Sequence, residues 1–314
     1  MTRKVVIDSD SGVTETIAIA LAMFDPDIEL LAVSAVAGTV DGRQATRNIQ
    51  AVIEALDPDR HPRVGAAEVD ERGQAVAWHG SNRLNGLHGL GDRQLTVAEL
   101  HHIPESKKLL VDLVRESPDE ITLVTLGPLT NVHAACDRLP DFLGLLDRVV
   151  CLAGRLDGIG DVSAVAELNL FANPKAGRRV LMGPPNKLIV PRDVAQRFVL
   201  SFESLPGLDW LPSPFQRLVD PLLKFSLRSH HHHLGVEGAR LEEVVALLAA
   251  IQPGAFQTQE MKCDVEVGGE LTRGMLVVDD RQDGDGPTNV EVVVDFDEDQ
   301  LMWWIRRLVR HACR

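Results

Sequence analysis

Apolar positions along the first two-thirds of the chain alternate between two patterns. Short aliphatic runs at Lys4–Asp8, Glu29–Ala37, Glu120–Thr125, Val149–Leu152 and Leu188–Val190 read as strands buried on both faces. Between them, apolar residues recur at helical spacing over Val13–Met23, Gly42–Leu56, Ser106–Glu116, Pro128–Cys136 and Pro174–Leu181. Pro128, near the head of its segment, suits a helix start. Strand and helix in alternation predict an α/β protein with a mostly parallel sheet covered on both faces.

The C-terminal third has a different rhythm. Leu241–Ile251 reads as an apolar helix, and Cys263–Val267, Met275–Val278 and Val290–Asp295 as strands joined by Gly-rich turns. A last helix runs from about Glu298 to Ala312, with Trp303, Trp304, Ile305 and Leu308 as an apolar core stripe. The segment 279–289 reads as a solvated acidic turn. No repeat or composition shift divides the chain, so residues 1–314 read as one domain.

Composition narrows the class. The 314 residues are 45% hydrophobic, an ordinary globular value, and no apolar run reaches membrane-span length. A formal net charge of -14 disfavours a nucleic-acid partner. Cys136, Cys151, Cys263 and Cys313 are widely spaced without a CxxC. With no signal-peptide pattern ahead of the first strand, that spacing fits reduced thiols in a cytoplasmic protein.

The first strand carries the chemistry. Val5-Val6-Ile7 runs into Asp8-Ser9-Asp10-Ser11-Gly12, with Glu15 following. Acids two apart on a strand share a face, and Gly12 is expected to let the backbone turn into the helix. Oxygens at the carboxyl end of a strand sit where open α/β sheets bind ligands, and they suit a hard cation such as Ca²⁺ or Mg²⁺. The competing reading is a strand-to-turn junction with solvated acids.

Ile7-Asp8-Ser9-Asp10-Ser11-Gly12-Val13-Thr14-Glu15-Thr16 resembles the opening DxDPGxDDA of nucleoside hydrolases, the inosine-uridine-preferring enzymes. Three more segments match in order. Leu126–Asn131 resembles the GPLTN turn, Glu167-Leu168-Asn169 the EFN segment, and Gly269–Met275 the GELTRGM hairpin. The resemblance implies a Rossmann-like open mixed sheet, usually of eight strands, in a homodimer or homotetramer. It implies hydrolysis of the N-glycosidic bond of a small ribonucleoside, with Ca²⁺ at the bottom of the pocket. Asp10 would then be the base that activates water and also a metal ligand. Asp8, Glu15, Glu243 and the Leu126 carbonyl would complete the ligands. Glu167 and Asn169 would hold the 5′ end of the ribose.

Several matched positions depart from the family pattern. Its paired acids after the glycine read Thr14-Glu15 here, and its asparagine after the second strand is Thr39. Asn85 stands at the histidine before the GLG turn, and Asp161 at the loop asparagine before EFN. The histidine–aspartate pair of the late helix becomes Glu242-Glu243, so the leaving-group histidine is lost to Glu242. All these positions would touch ribose, base or metal. Glu for Asp keeps the charge one methylene further out, which flexible Ca²⁺ coordination tolerates, or else the ion is lost or replaced.

Other candidates compete. His230–His233 could bind a transition metal, but helical ligands need i, i+4 spacing, which favours an exposed segment before the late helix. One of these histidines, or His88, could replace the missing acid. Trp78, beside His79, could stack on a base or merely cover a loop. Asp8-Ser9-Asp10 also resembles the DxD of haloacid-dehalogenase-type phosphatases, against which the GPLTN and ELTRGM matches argue. Three functions remain: a nucleoside N-ribohydrolase with a remodelled Ca²⁺ site, a non-catalytic ligand-binding protein, or a hydrolase of another ribosyl or sugar compound.

Overall fold

Strand Arg3–Ser9 (β1) lies inside an eight-stranded sheet. On one side it pairs in parallel with Ile28–Ala35 (β2), which carries Arg63–Gly65 (β3). On the other it pairs in parallel with Ile121–Thr125 (β4), followed by Arg148–Leu152 (β5) and Lys187–Val190 (β6). Val290–Phe296 continues the parallel set, and Phe256–Met261 closes the edge antiparallel to it. Two short antiparallel pairs, Val199–Ser201 with Gly238–Arg240 and Cys263–Val265 with Leu276–Val278, stand apart. The computed structural model describes residues 2–68, 82–97, 102–184, 186–208, 210–281 and 287–313. Trp78, His79 and 282–286 of the acidic turn lie outside them.

Side-chain alternation along β1 builds two cores. Val5 and Ile7 join the face covered by helices Val13–Phe24, Gly42–Leu56, Pro214–Leu234, Glu242–Ile251 and Glu298–Ala312. Val6 joins the face covered by Ser106–Glu116, Thr130–Arg138 and Pro174–Leu181. Helix Val13–Phe24 is buried nearly all round because the other four helices of its face pack against it. The mostly parallel, two-faced sheet read from the sequence is thus the observed architecture.

Several local expectations change. Pro128 precedes the helix by two residues, because the turn after β4 holds it and the helix runs Thr130–Arg138. Trp303 is 54% exposed: the buried face of its helix is Leu301, Ile305, Leu308 and Ala312 at i, i+3/i+4 spacing, which rotates Trp303 outward. His230–His233 form the last turn of the 21-residue helix Pro214–Leu234, with His230 buried and the other three exposed. All four cysteines are free and buried. Among the described residues no helix is long and apolar enough to cross a membrane.

The chain runs outward from β1 through β2 to β3, then returns to place β4 on the other side of β1. That reversal opens a crevice beyond the carboxyl ends of β1 and β4, the usual ligand position in such sheets.

Candidate active site

Both aspartates of the first strand end are buried in that crevice. Asp8 Oδ1 accepts from the Ser34 hydroxyl on β2 and from Asn131 Nδ2 at 2.7 Å, while its Oδ2 has no partner. Burial pushes the Asp8 carboxyl up to about 7 against those two donors. Asp10 Oδ2 accepts from the Thr39 backbone at 2.6 Å, and Oδ1 is left without a partner. Burial raises this carboxyl too, opposed by Thr39.

The turn after Asp10 is not made as expected. Ser11, with φ 60°, takes the left-handed conformation, whereas Gly12 is extended at φ -77°. Gly12 is required for space instead. A Cβ there would collide with Glu15 Oε2 and stand 2.7 Å from Asn85 Oδ1. Asn85 Oδ1 accepts from Val13 N at 2.8 Å, supplying from another segment the helix cap that Gly12 lacks. Glu15 follows in the first helical turn, 3% exposed. Burial, then the Glu243 and Asp10 charges, push its carboxyl well up. Thr14 answers part of that repulsion, its hydroxyl reaching Glu15 Oε2 at 3.4 Å and also bonding Glu243.

Below the pocket, Asn169 Nδ2 donates to the carbonyls of Leu126 at 2.9 Å and Leu152 at 2.8 Å. Its buried Oδ1 has no partner. Glu167 caps the helix Leu168–Ala172, accepting from Gly154, Asn169 and Leu170 N–H groups at 2.8–3.0 Å. Both residues are fully buried and brace the ends of β4 and β5.

The open pocket above them has a volume of about 380 Å³. Thr14, Glu15, Thr39, Asn85, Asp161, Glu242 and Glu243 line it, so seven sequence-predicted positions converge. Asp8, Asp10, Leu126, Glu167 and Asn169 are not among its lining residues. Of the proposed histidines, His230 and His233 line the pocket and His88 does not. His230 Nδ1 accepts from the Arg240 backbone at 2.9 Å, and burial lowers its pKa to about 4.

Sequence reading missed Arg192. It opens the turn after β6 and its side chain is 14% exposed. Its Nε reaches Glu167 Oε2 at 3.3 Å, and its Nη1 pairs with Glu242 and stands 3.7 Å from Glu243 Oε1. Burial works against its charge, but the Glu242, Glu243 and Glu167 carboxylates outweigh that and keep it cationic. The available signal was a charged residue directly following the apolar run Leu188-Ile189-Val190-Pro191.

The donor set fits a hard cation in chemistry: buried carboxylates, a carbonyl, and unpartnered oxygens on Asp8 and Asp10. As placed, however, no three Asp, Glu, His or Cys side chains among the described residues converge closely enough to hold one.

The profile of the family described as inosine-uridine preferring nucleoside hydrolase matches residues 5–302. The pyrimidine-specific ribonucleoside hydrolase RihB of Escherichia coli is 28% identical over 310 residues, 98% of this chain and 97% of that one. Uridine nucleosidase 1 of Arabidopsis thaliana is 29% identical over 268 residues, 85% and 79% of the two chains. Among solved structures, a plant nucleoside hydrolase, PpNRh1, superposes with a TM-score of 0.88 at 24% identity, covering 98% and 99% of the chains. The purine-preferring ribonucleoside hydrolase of Gardnerella vaginalis gives 0.86 at 23%, covering 99% of both.

Proposed function

The chain belongs to the inosine-uridine preferring nucleoside hydrolase family, and on that premise we propose that it hydrolyses the N-glycosidic bond of a ribonucleoside or related ribosyl compound. The observation that carries this reading is Asp10. It stands at the sheet's switch point, anchored through Oδ2 by Thr39, with Oδ1 buried and unpartnered.

Asp10 takes the proton of the attacking water. Burial raises its pKa, which makes the ionised carboxylate a stronger base at neutral pH. Ribosyl cleavage builds positive charge on the sugar, and the carboxylates of Asp10, Glu15 and Glu243 stabilise it. Thr14, Thr39, Asn85, Asp161 and Glu242 border the substrate. Glu167 and Asn169 support the ribose end from beneath, through the β4 and β5 termini they brace.

The family is metal-dependent in general. We propose Ca²⁺ here, with Asp8, Asp10, Glu15, Glu243 and the Leu126 carbonyl as its holders. A bound ion would lower the pKa of water and orient the ribose hydroxyls. The same resemblance supports a homodimer or homotetramer, and the four free, buried thiols support a cytoplasmic location.

The test is release of base and reducing sugar from inosine, uridine, cytidine and other ribosides, with and without Ca²⁺. Turnover should fall about 10²–10⁴-fold in Asp10→Asn. No release from any riboside by the folded wild-type protein would overturn the reading in favour of a binding protein. Release from a non-nucleoside riboside alone would redirect the substrate class.

A further inference from the structure

Arg192 is a nearly buried cation set among the acids that line the pocket. Its anchor is rigid: Glu167 is held by three backbone N–H groups and cannot follow a moving partner. From that anchor the guanidinium reaches Glu242 and Glu243, both in the first turn of helix Glu242–Ile251. Glu243 is also the carboxylate that the proposed metal site needs, and the acids around it do not converge as they stand. Resting on the reading of this pocket as a cation site, we infer that Arg192 competes with the divalent cation for Glu243 and thereby sets the cation affinity of the pocket.

The physical basis is twofold. A divalent ion that takes Glu243 removes one of the carboxylates that offset a nearly buried guanidinium. It also brings two positive charges toward a third where solvent screens poorly. Arg240 is the control supplied by the same pocket. It lines the cavity too, and its guanidinium donates to the neutral Gln196 side chain rather than to a carboxylate.

Calcium titration calorimetry on the full chain, with terbium luminescence as a second readout, tests this without any turnover. Arg192→Met should bind Ca²⁺ about tenfold more tightly than wild type. Arg240→Met should stay within about twofold, the level of a screened charge outside any ion pair. Adding Glu243→Gln to Arg192→Met should erase the gain, which identifies Glu243 as the contested ligand. Should Arg192→Met fail to fold, Arg192→Lys serves. It keeps the charge but loses the fork that spans Glu167 and Glu243, and should bind Ca²⁺ more tightly than wild type. Unchanged or weaker affinity in the folded Arg192 variants would overturn the inference. So would an equal gain in Arg240→Met, or no Ca²⁺ binding in any variant. Failure of the hydrolase reading appears separately, as absent base release by a wild-type protein that binds Ca²⁺.

Discussion

The backbone N–H of Thr39 donates to Oδ2 of Asp10 at 2.6 Å, and this bond links the loop after β2 to the end of β1. The Thr39 hydroxyl also supports the same carboxylate. Gly38 makes this approach possible. A Cβ there would collide with Asp10 Oδ2 and lie 2.8 Å from Pro128 Cδ. Gly38→Ala should therefore displace the Asp10 carboxylate while leaving the sheet intact. Displacement of a catalytic group by about 1 Å costs on the order of 100-fold. Steady-state kinetics should show kcat reduced on that scale, with a circular dichroism spectrum like wild type. An unchanged kcat would mean that Asp10 is not held as a base by this contact.

Asp8 gives a stability prediction with a defined sign. Burial raises its pKa from 3.8 to about 7, so the folded chain holds a proton that the unfolded chain has released. The stability this group contributes is present below pH 3.8 and is lost as pH rises through 7. Asp8→Asn keeps an oxygen to accept from Ser34 and Asn131, and carries no charge at the unpartnered position. In chelator at pH 8, the variant should be more stable than wild type by on the order of a few kcal/mol. At pH 4 the two should converge. Urea unfolding at both pH values measures this, and equal gaps at both would show that Asp8 is not the group responsible.

The strand and helix pattern was readable because the central strands are compact aliphatic runs, and the covering helices either keep a 3.6-residue stripe or, like Val13–Phe24 and Glu242–Ile251, are apolar runs longer than a strand. Helix Pro214–Leu234 was not, since Pro221 in its interior argues against a helix and its last turn carries four histidines in place of an apolar stripe. Gly12 was marked correctly as necessary but for the wrong reason, because the left-handed turn belongs to Ser11. Glu15, Glu243 and Asn85 were legible through motif spacing, since each holds a fixed place relative to a recognisable segment. Arg192 was not, because its role comes from three glutamates on two other segments, and no local pattern announces such a meeting. The backbone cap made by Glu167 was equally hidden: a carboxylate facing substrate and one facing N–H groups have the same sequence.

His230, which lines the pocket, provides a further test. It is 6% exposed, and its Nδ1 accepts from the Arg240 N–H, so the neutral ring carries its proton on Nε2. Burial first, then the Arg240 charge, lowers its pKa from 6.5 to about 4. The unfolded chain therefore binds a proton on this residue below pH 6.5 that the folded chain does not take until near pH 4. Its contribution to stability is fully present above pH 6.5 and is lost as pH falls toward 4. His230→Asn replaces the ring with a group that can still accept from the Arg240 N–H and does not titrate. Wild type should lose about 3 kcal/mol more than this variant between pH 7.5 and pH 4. Denaturant unfolding across that interval reads the difference directly. Parallel profiles for the two proteins would mean that His230 takes up its proton in the folded state as readily as in the unfolded one.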